Sequence, residues 1–322
     1  VKILLLGSTG QLGQAWIDLS KTDAFPIGWT LVPADRHAFN LADLPDPAEL
    51  TKRWSATERD HTPDLIINAA AYTAVDRAET ERELCHRINA KAPGVIAQAC
   101  ARLQIPMVHY SSDYVYSGGS APSGSGPEPH LETEPHAPLN EYGRSKALGD
   151  EAVLASGADA LIFRTSWVYS HVGKNFVNTM LRLGGKSESV PEPRPEPRPE
   201  ISVVADQVGA PTYAPDLAKL SLEALMRALE KKATGAPFPG GIYHLCNSGS
   251  TSWAAFARAI LPGARIKEIT TSEYPTPALR PKNSRLSLTK LENTFGLRPR
   301  SWQEALQDCL AAIKKQEKQE CK

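Results

Sequence analysis

The sequence predicts an α/β fold, a doubly wound parallel sheet with a smaller C-terminal substrate domain, and three observations predict it. Ile3, Leu4, Leu5 and Leu6 open the chain as an apolar run without alternation, as a parallel strand buried on both faces would. Gly7, Gly10 and Gly13 follow at GxxGxxG spacing and lead into the amphipathic QAWIDL. Further apolar runs then alternate with helical patterns, as successive βαβ units do.

The glycine turn is the first element with chemistry in it. Glycine permits a tight turn, lets backbone N–H groups approach a pyrophosphate and lets the following helix pack on its strand. The N-terminus of that helix is the positive end of a dipole. A glycine triplet alone fits any strand-to-helix turn; placed between a buried strand and an amphipathic helix, it reads as a Rossmann-type dinucleotide site. WTLVPADR is the second strand, ending at Asp35 and Arg36. Asp35 falls about 20 residues past the last glycine, where a carboxylate bonds ribose hydroxyls, and Arg36 could receive the extra phosphate of NADP. NADPH and NADH both stay open.

DLIINAAAYTAVD is the third strand, with small residues, Ala71 among them, leaving room for a ligand along which Tyr72 and Thr73 would lie. RELCHRINAKAPGVIAQACARL predicts one long helix, with Asn89 read equally well as a surface amide. MVHYSSDYVY is the fourth strand and carries Tyr110, Ser111, Ser112 and Asp113 at its carboxyl end, where open α/β sheets bind ligands. Ser117 to Leu139 is a long loop rich in Gly, Ser, Pro, Glu and His. NEYGRSKALGDEAV is a helix and LIFRTSWVY a further buried strand. PEPRPEPRPE at 191–200 is low-complexity and predicts an extended or disordered tract without chemistry. ISVVADQVGAPT, DLAKLSLEALMRALEKK, IYHLCN, WAAFARAI and WQEALQDCLAAIKKQ supply later strands and helices. These divide into a cofactor domain at 1–170, rejoined around 205–235, and a substrate domain at 171–204 and 236–322.

Composition excludes several functions. Lys and Arg number 36 and Asp and Glu 36, so net charge argues for neither nucleic acid nor an anionic membrane as partner. No apolar run approaches the roughly 18 residues of a membrane span, and the chain starts in a strand without a signal-peptide pattern; a soluble, cytoplasmic protein is expected. Cys85, Cys100, Cys246, Cys309 and Cys321 never stand in CxxC spacing, so neither a disulfide framework nor a metal site is predicted.

Tyr142 and Lys146 stand at YxxxK spacing in a helical segment, which turns phenol and ammonium to one face. Alone that is a common surface pair. Beside the glycine turn, the Ser-Ser-Asp strand end and the RTSWVY strand, the chain resembles the extended short-chain dehydrogenases, and within them the dTDP-4-dehydrorhamnose reductases. GSTGQLG, NAAAYTAVDRAE, VHYSSDYVY, YGRSKALGD, LIFRTSWVY, DQVGAPT and YPTPALRPKNSRL resemble that family's blocks in its order.

The resemblance implies a nucleotide-sugar substrate whose 4-keto oxygen is protonated by Tyr142 as hydride arrives from NADPH or NADH. Lys146 would lower the phenol's pKa and hold the nicotinamide ribose, and Ser112 would polarise the carbonyl. Gly10, Gln11, Leu12, Asp35, Ala71, Tyr72, Thr73 and Tyr110 match cofactor contacts; Asp113 and Trp167, with Ser112, match contacts to the deoxysugar, and Asn175, Phe176 and the run from Arg280 to Asn283 match substrate-domain blocks, Asn175 and Arg280 being expected to bind substrate. The chain departs from the family in three places. Asn40 and Leu41 stand in NLAD where the family has DLTD, so that adenine-side contact becomes neutral. Ala15 replaces a glutamate tied in some relatives to a metal-bridged dimer, and PEPRPEPRPE is inserted. Other readings are a reductase of another 4-keto nucleotide sugar, a 4-epimerase retaining NAD, or a non-catalytic regulator resembling the methionine adenosyltransferase β subunit. A homodimer is compatible with the chain but not written in it.

Overall fold

A computed structural model of the chain describes residues 1–55, 62–119, 128–185 and 200–320. The proline-rich tract up to residue 199 lies outside the described residues, as does the stretch 120–127 of the long loop.

Strand and helix alternate as β1 (Lys2–Leu6), α1 (Gln11–Leu19), β2 (Thr30–Ala34), α2 (Pro47–Ser55) and β3 (Leu65–Asn68). Then come α3 (Val75–Ala78), α4 (Arg82–His86), a wide π-turn at Arg87–Lys91 and α5 (Ala92–Leu103). β4 (Met107–Ser112), α6 (Glu141–Ala155), β5 (Ala160–Thr165), β6 (Val168–Tyr169) and α7 (Phe176–Leu183) follow. β7 (Ile201–Val204), β8 (Val208–Gly209), β9 (Thr212–Tyr213), α8 (Ala214–Ala233) and β10 (Gly241–His244) lead on. The remainder is β11 (Thr251–Ser252), α9 (Trp253–Ile260), β12 (Ile266–Ile269), β13 (Asn283–Ser284), α10 (Thr289–Phe295) and α11 (Trp302–Glu320).

The six-stranded central sheet runs β10-β5-β4-β3-β1-β2, with every pair parallel. Ile3 and Leu5 enter a core with α1 and α8 on one face, while Leu6, Ile66 and Ile162 enter a second core with α2 and α5 on the other. Both faces are therefore apolar, which is why the strands read as unbroken runs. Pro33 is accommodated because β2 is the edge strand and pairs only with β1. β2 and β3 flank β1 on opposite sides, so the strand order reverses beside β1 and opens a crevice at the carboxyl ends.

One expectation is corrected here. IYHLCN, placed by sequence in the substrate segment, supplies β10, which pairs with β5 from Gly241 opposite Leu161 to His244 opposite Arg164. Tyr243 and Leu245 join the core containing Phe163, and burial of those side chains draws the strand into the central sheet.

The long helix expected from RELCHRINAKAPGVIAQACARL is helical throughout but widens at Arg87–Lys91. Pro93 has no N–H, and in a regular helix its ring would collide with the carbonyl of Asn89, four residues earlier; the wider turn relieves that clash. α6 passes close by. A Cβ on Gly149 would lie 2.1 Å from the Asn89 carbonyl oxygen, so only glycine permits this approach.

A third core, with Tyr169, Val177, Met180, Val203, Tyr213, Phe256, Leu261, Trp302 and Leu306, binds α7, α9 and α11 to the short sheets β12-β7 and β6-β9, and a further small sheet runs β11-β8-β13. Among the described residues no helix is long and apolar enough to cross a membrane, and Cys85, Cys100, Cys246 and Cys309 are free, buried thiols.

Candidate active site

The turn after β1 is built by close backbone approach. Gly7 has φ +83°, and a Cβ there would stand 2.7 Å from the backbone of Ala70; a Cβ on Gly13 would lie 2.2 Å from the Gly7 carbonyl oxygen. The segment following β3 and the helix α1 are thus pressed against the turn. Gly10 caps α1 without a side-chain hydrogen bond, and no acidic residue stands in the first turn. The leading N–H groups of α1 are left to face an anion.

That turn opens into a cavity of about 500 Å³ lined by Gly7, Gly10, Gln11, Leu12, Asp35, Arg36, Asn40, Leu41, Ala71, Thr73, Tyr110, Tyr142 and Lys146. Ser111 of the β4 strand end lines it too, as do Thr9, Thr165, Gly173 and Lys174, which the sequence does not single out. Its length from β2 to α6, with apolar walls and Asp35, Arg36, Asn40, Tyr142 and Lys146 placed along them, suits an extended dinucleotide. Tyr72 is not in the lining: its hydroxyl donates to Glu81 at 2.7 Å, and its N–H is bonded elsewhere. At the β2 end, Asp35 Oδ1 accepts from the N–H groups of His37 and Ala38, both at 2.9 Å. Chiefly the Ala38 N–H lowers the Asp35 carboxyl pKa, keeping it ionised. Asn40 Oδ1 accepts from Ala42 N at 3.1 Å and caps a short 3₁₀ turn.

At the other end, Tyr142 and Lys146 project from α6. Lys146 is 1 % exposed, and its Nζ donates to the Tyr110 carbonyl at 2.7 Å. Tyr110 is fixed in turn, its hydroxyl accepting from Trp16 Nε1 at 2.9 Å. The expected depression of the Tyr142 pKa by Lys146 is corrected. Burial dominates and pushes the phenol well above its usual value, with the Ser112 hydroxyl pulling the other way. Burial also pulls Lys146 down to about 8, opposed by the Asp150 carboxylate. Tyr142 rests fully protonated, the form in which a phenol can donate.

The groups predicted to meet a substrate lie at the carboxyl ends of β4 and β5 and in the loops facing them. Ser112 Oγ donates to Asp113 Oδ1 at 3.0 Å. Asp113 is pushed up to about 6, by burial first, against the Ser284 and Ser112 hydroxyls. Trp167 stands two residues beyond β5 with φ +48°. Asn175 uses its side chain structurally: Oδ1 caps α7 at Asn178 N, while Nδ2 donates to Gln11 Oε1 and to the Ser170 carbonyl. Phe176 stacks on Phe256 at 5.6 Å. Arg280 pairs with Asp76, 2.8 Å away, tying its loop to α3.

The Asp113 shift has a measurable sign. Its native pKa of about 6 lies above the roughly 3.9 of an unfolded chain, so the folded state binds more protons between those values. Stability then falls as pH rises through about 4 to 6. Asp113→Asn, neutral throughout, is expected to match wild-type stability near pH 4 and to exceed it above pH 6 by roughly 2–3 kcal/mol. Thermal melts at several pH values check this, and a difference that does not change with pH would refute it.

Asn89 is the residue whose place the sequence left undecided. It is 1 % exposed; its Oδ1 accepts from Tyr72 N at 2.8 Å, and its Nδ2 donates to the Tyr72 carbonyl at 2.9 Å and to Ser145 Oγ at 3.0 Å. One amide therefore fastens the loop after β3 to α6, between Tyr142 and Lys146. Pro93, four residues later in a helical pattern, was the available signal that this turn is irregular.

Comparison with known proteins gives a consistent result. The RmlD substrate binding domain family matches residues 1–315. A dTDP-4-dehydrorhamnose reductase of Burkholderia thailandensis is 41% identical over 322 residues, covering 96% of this chain and 98% of the relative. A crystal structure of a dTDP-4-dehydrorhamnose reductase from Clostridium acetobutylicum superposes with TM-score 0.81 and 31% identity, over 98% of this chain and 100% of that one. The Bacillus anthracis dTDP-4-dehydrorhamnose reductase, solved in complex with NADP, does so with TM-score 0.78 and 32% identity, over 97% and 99%.

Proposed function

Because this chain belongs to the dTDP-4-dehydrorhamnose reductase family, we infer that it reduces the 4-keto group of dTDP-4-dehydro-L-rhamnose to the alcohol of dTDP-L-rhamnose, using NADPH or NADH. The observation that carries this reading is the joining of the uncapped N-terminus of α1 to Tyr142 and Lys146 in one cavity.

The reduced nicotinamide, when bound, supplies the hydride that forms the new C4–H bond of the sugar. Everything else falls to the chain's own groups. The N–H groups at the start of α1 receive the pyrophosphate. Asp35 meets the adenosine ribose, and Arg36 beside it receives the additional phosphate of NADPH. Lys146, anchored to the Tyr110 carbonyl, holds the nicotinamide ribose at the phenol. Ser112 orients the sugar carbonyl, and Tyr142 Oη gives its proton to the C4 oxygen as the C=O π bond is lost. Asp113 and Trp167 contact the deoxysugar. Arg280, held by Asp76, adds a cation to the substrate side of the site, while Asn175 supports the site through Gln11. A cytoplasmic location and a homodimeric assembly complete the proposal; light scattering of the purified chain tests the second.

The experiment is the oxidation of NADPH and of NADH, followed by absorbance, with dTDP-4-dehydro-L-rhamnose supplied and the product identified. One equivalent of cofactor consumed per dTDP-L-rhamnose formed is expected, and cofactor binding without oxidation would overturn the reading. In the same assay Asp35→Asn, which keeps the acceptor for His37 and Ala38, is expected to shift preference several-fold toward NADPH by removing the charge that opposes a phosphate. An equal effect on both cofactors would remove Asp35 from the ribose site.

A further inference from the structure

Among the described residues only Gln104 and Trp167 adopt positive φ without being glycine. Gln104 ends α5, where a left-handed residue is ordinary. Trp167 has no such place; it is a bulky residue held at φ +48° in mid-segment, and such a conformation persists only when its surroundings over-determine it.

The surroundings are specific. The indole of Trp167 lies flat on that of Trp253, ring centroids 3.6 Å apart and planes 12° from parallel. Gly209 of β8 touches the same ring so closely that a Cβ would come within 2.7 Å of it. The Trp167 carbonyl accepts from Thr212 N at 3.2 Å, and the neighbouring Ser166 hydroxyl donates to the Ala210 carbonyl at 2.9 Å. Trp253 is anchored in turn: it opens α9, whose cap is Ser252, and its ring packs on Phe176 at 4.6 Å. The third core thereby reaches the carboxyl end of β5 through stacked aromatic rings.

We infer that Trp253 is a positioning residue for the nucleotide sugar, holding Trp167 in its strained conformation so that the indole forms a preset flat wall for the deoxyhexose. An apolar ring face suits the C–H-rich face and methyl group of a 6-deoxy sugar. A wall ordered before binding removes an ordering penalty that the ligand would otherwise meet. The inference rests on Trp167 being the sugar contact of the proposed reduction.

Steady-state kinetics on the full chain test it, with Trp253→Ala, Trp253→Phe and Trp167→Ala. Trp253→Ala is expected to raise KM for the nucleotide sugar roughly tenfold, the lower end of what one released strained residue is worth, and to leave KM for NADPH nearly unchanged. Trp253→Phe, which restores a flat ring, should recover most of the loss. The circular-dichroism couplet of two stacked indoles should vanish in both Trp253 variants. If Trp167→Ala raises KM for the sugar and Trp253→Ala does not, the positioning role is refuted while the sugar contact stands. If Trp167→Ala has no effect, the sugar contact itself fails. An equal rise in both KM values would mean general structural damage and overturn the inference. Should Trp253→Ala not fold, Trp253→Leu fills the volume without the plane; the same selective rise is expected of it, and its absence overturns the inference.

Discussion

Replacing Tyr142 by phenylalanine is expected to lower kcat for the ketosugar by about 10²- to 10⁴-fold, the usual contribution of a positioned general acid. The phenyl ring keeps the edge-to-face contact that Tyr142 makes with Tyr114, centroids 5.4 Å apart at 81°. It also leaves Lys146 on the Tyr110 carbonyl. Cofactor affinity should therefore stay close to wild type, separating proton donation from binding. Burial holds the native phenol protonated, so wild-type turnover should not lose its donor as pH rises through neutrality. Stopped-flow reduction together with NADPH titration measures both quantities. A kcat near wild type would take the role from Tyr142.

Arg164→Leu is expected to destabilise the fold by about 3–5 kcal/mol, because it breaks an ion pair that water does not reach. Arg164 is 1 % exposed and Asp150 is fully buried, with Nε 2.9 Å from Oδ2. The guanidinium also donates to the Tyr116 hydroxyl at 2.6 Å and lies 5.0 Å from the centre of that ring. Leucine fills much of the volume but leaves Asp150 without its cation. Urea unfolding should show the loss, and the double variant Arg164→Leu/Asp150→Leu should recover part of it by removing the stranded charge. A single variant as stable as wild type would show that the pair contributes nothing.

Local patterns made the first half of this architecture legible. The apolar run at Ile3 to Leu6, the glycine spacing and the YxxxK pair each follow from short-range geometry, and the structure brings their residues to one cavity. Contacts made across the fold were not legible. Asn89 is bonded to the Tyr72 backbone and to Ser145, 56 residues away, and no helical periodicity reveals such partners. The sign of the Tyr142 shift is hidden from the sequence for a related reason. Spacing shows a lysine one turn away, whereas burial depends on everything packed around the helix, and here it sets the direction of the shift. IYHLCN carries no mark of which sheet it joins; Phe163 and the rest of that core draw β10 into the central one. Trp167 lay in a recognisable block, yet its left-handed backbone and its partner Trp253 are properties of the folded chain alone.

Pro33 in β2 has a consequence for how copies of this protein can meet. The outer rim of the central sheet ends in a strand with one residue unable to donate a hydrogen bond, while the opposite rim is β10, four residues long. Neither rim offers a long, regular ladder for a foreign strand to continue. Self-association through a shared central sheet, and the fibrous growth such pairing can seed, is disfavoured at both ends, which leaves helices and loops as the surfaces on which a stable assembly would form.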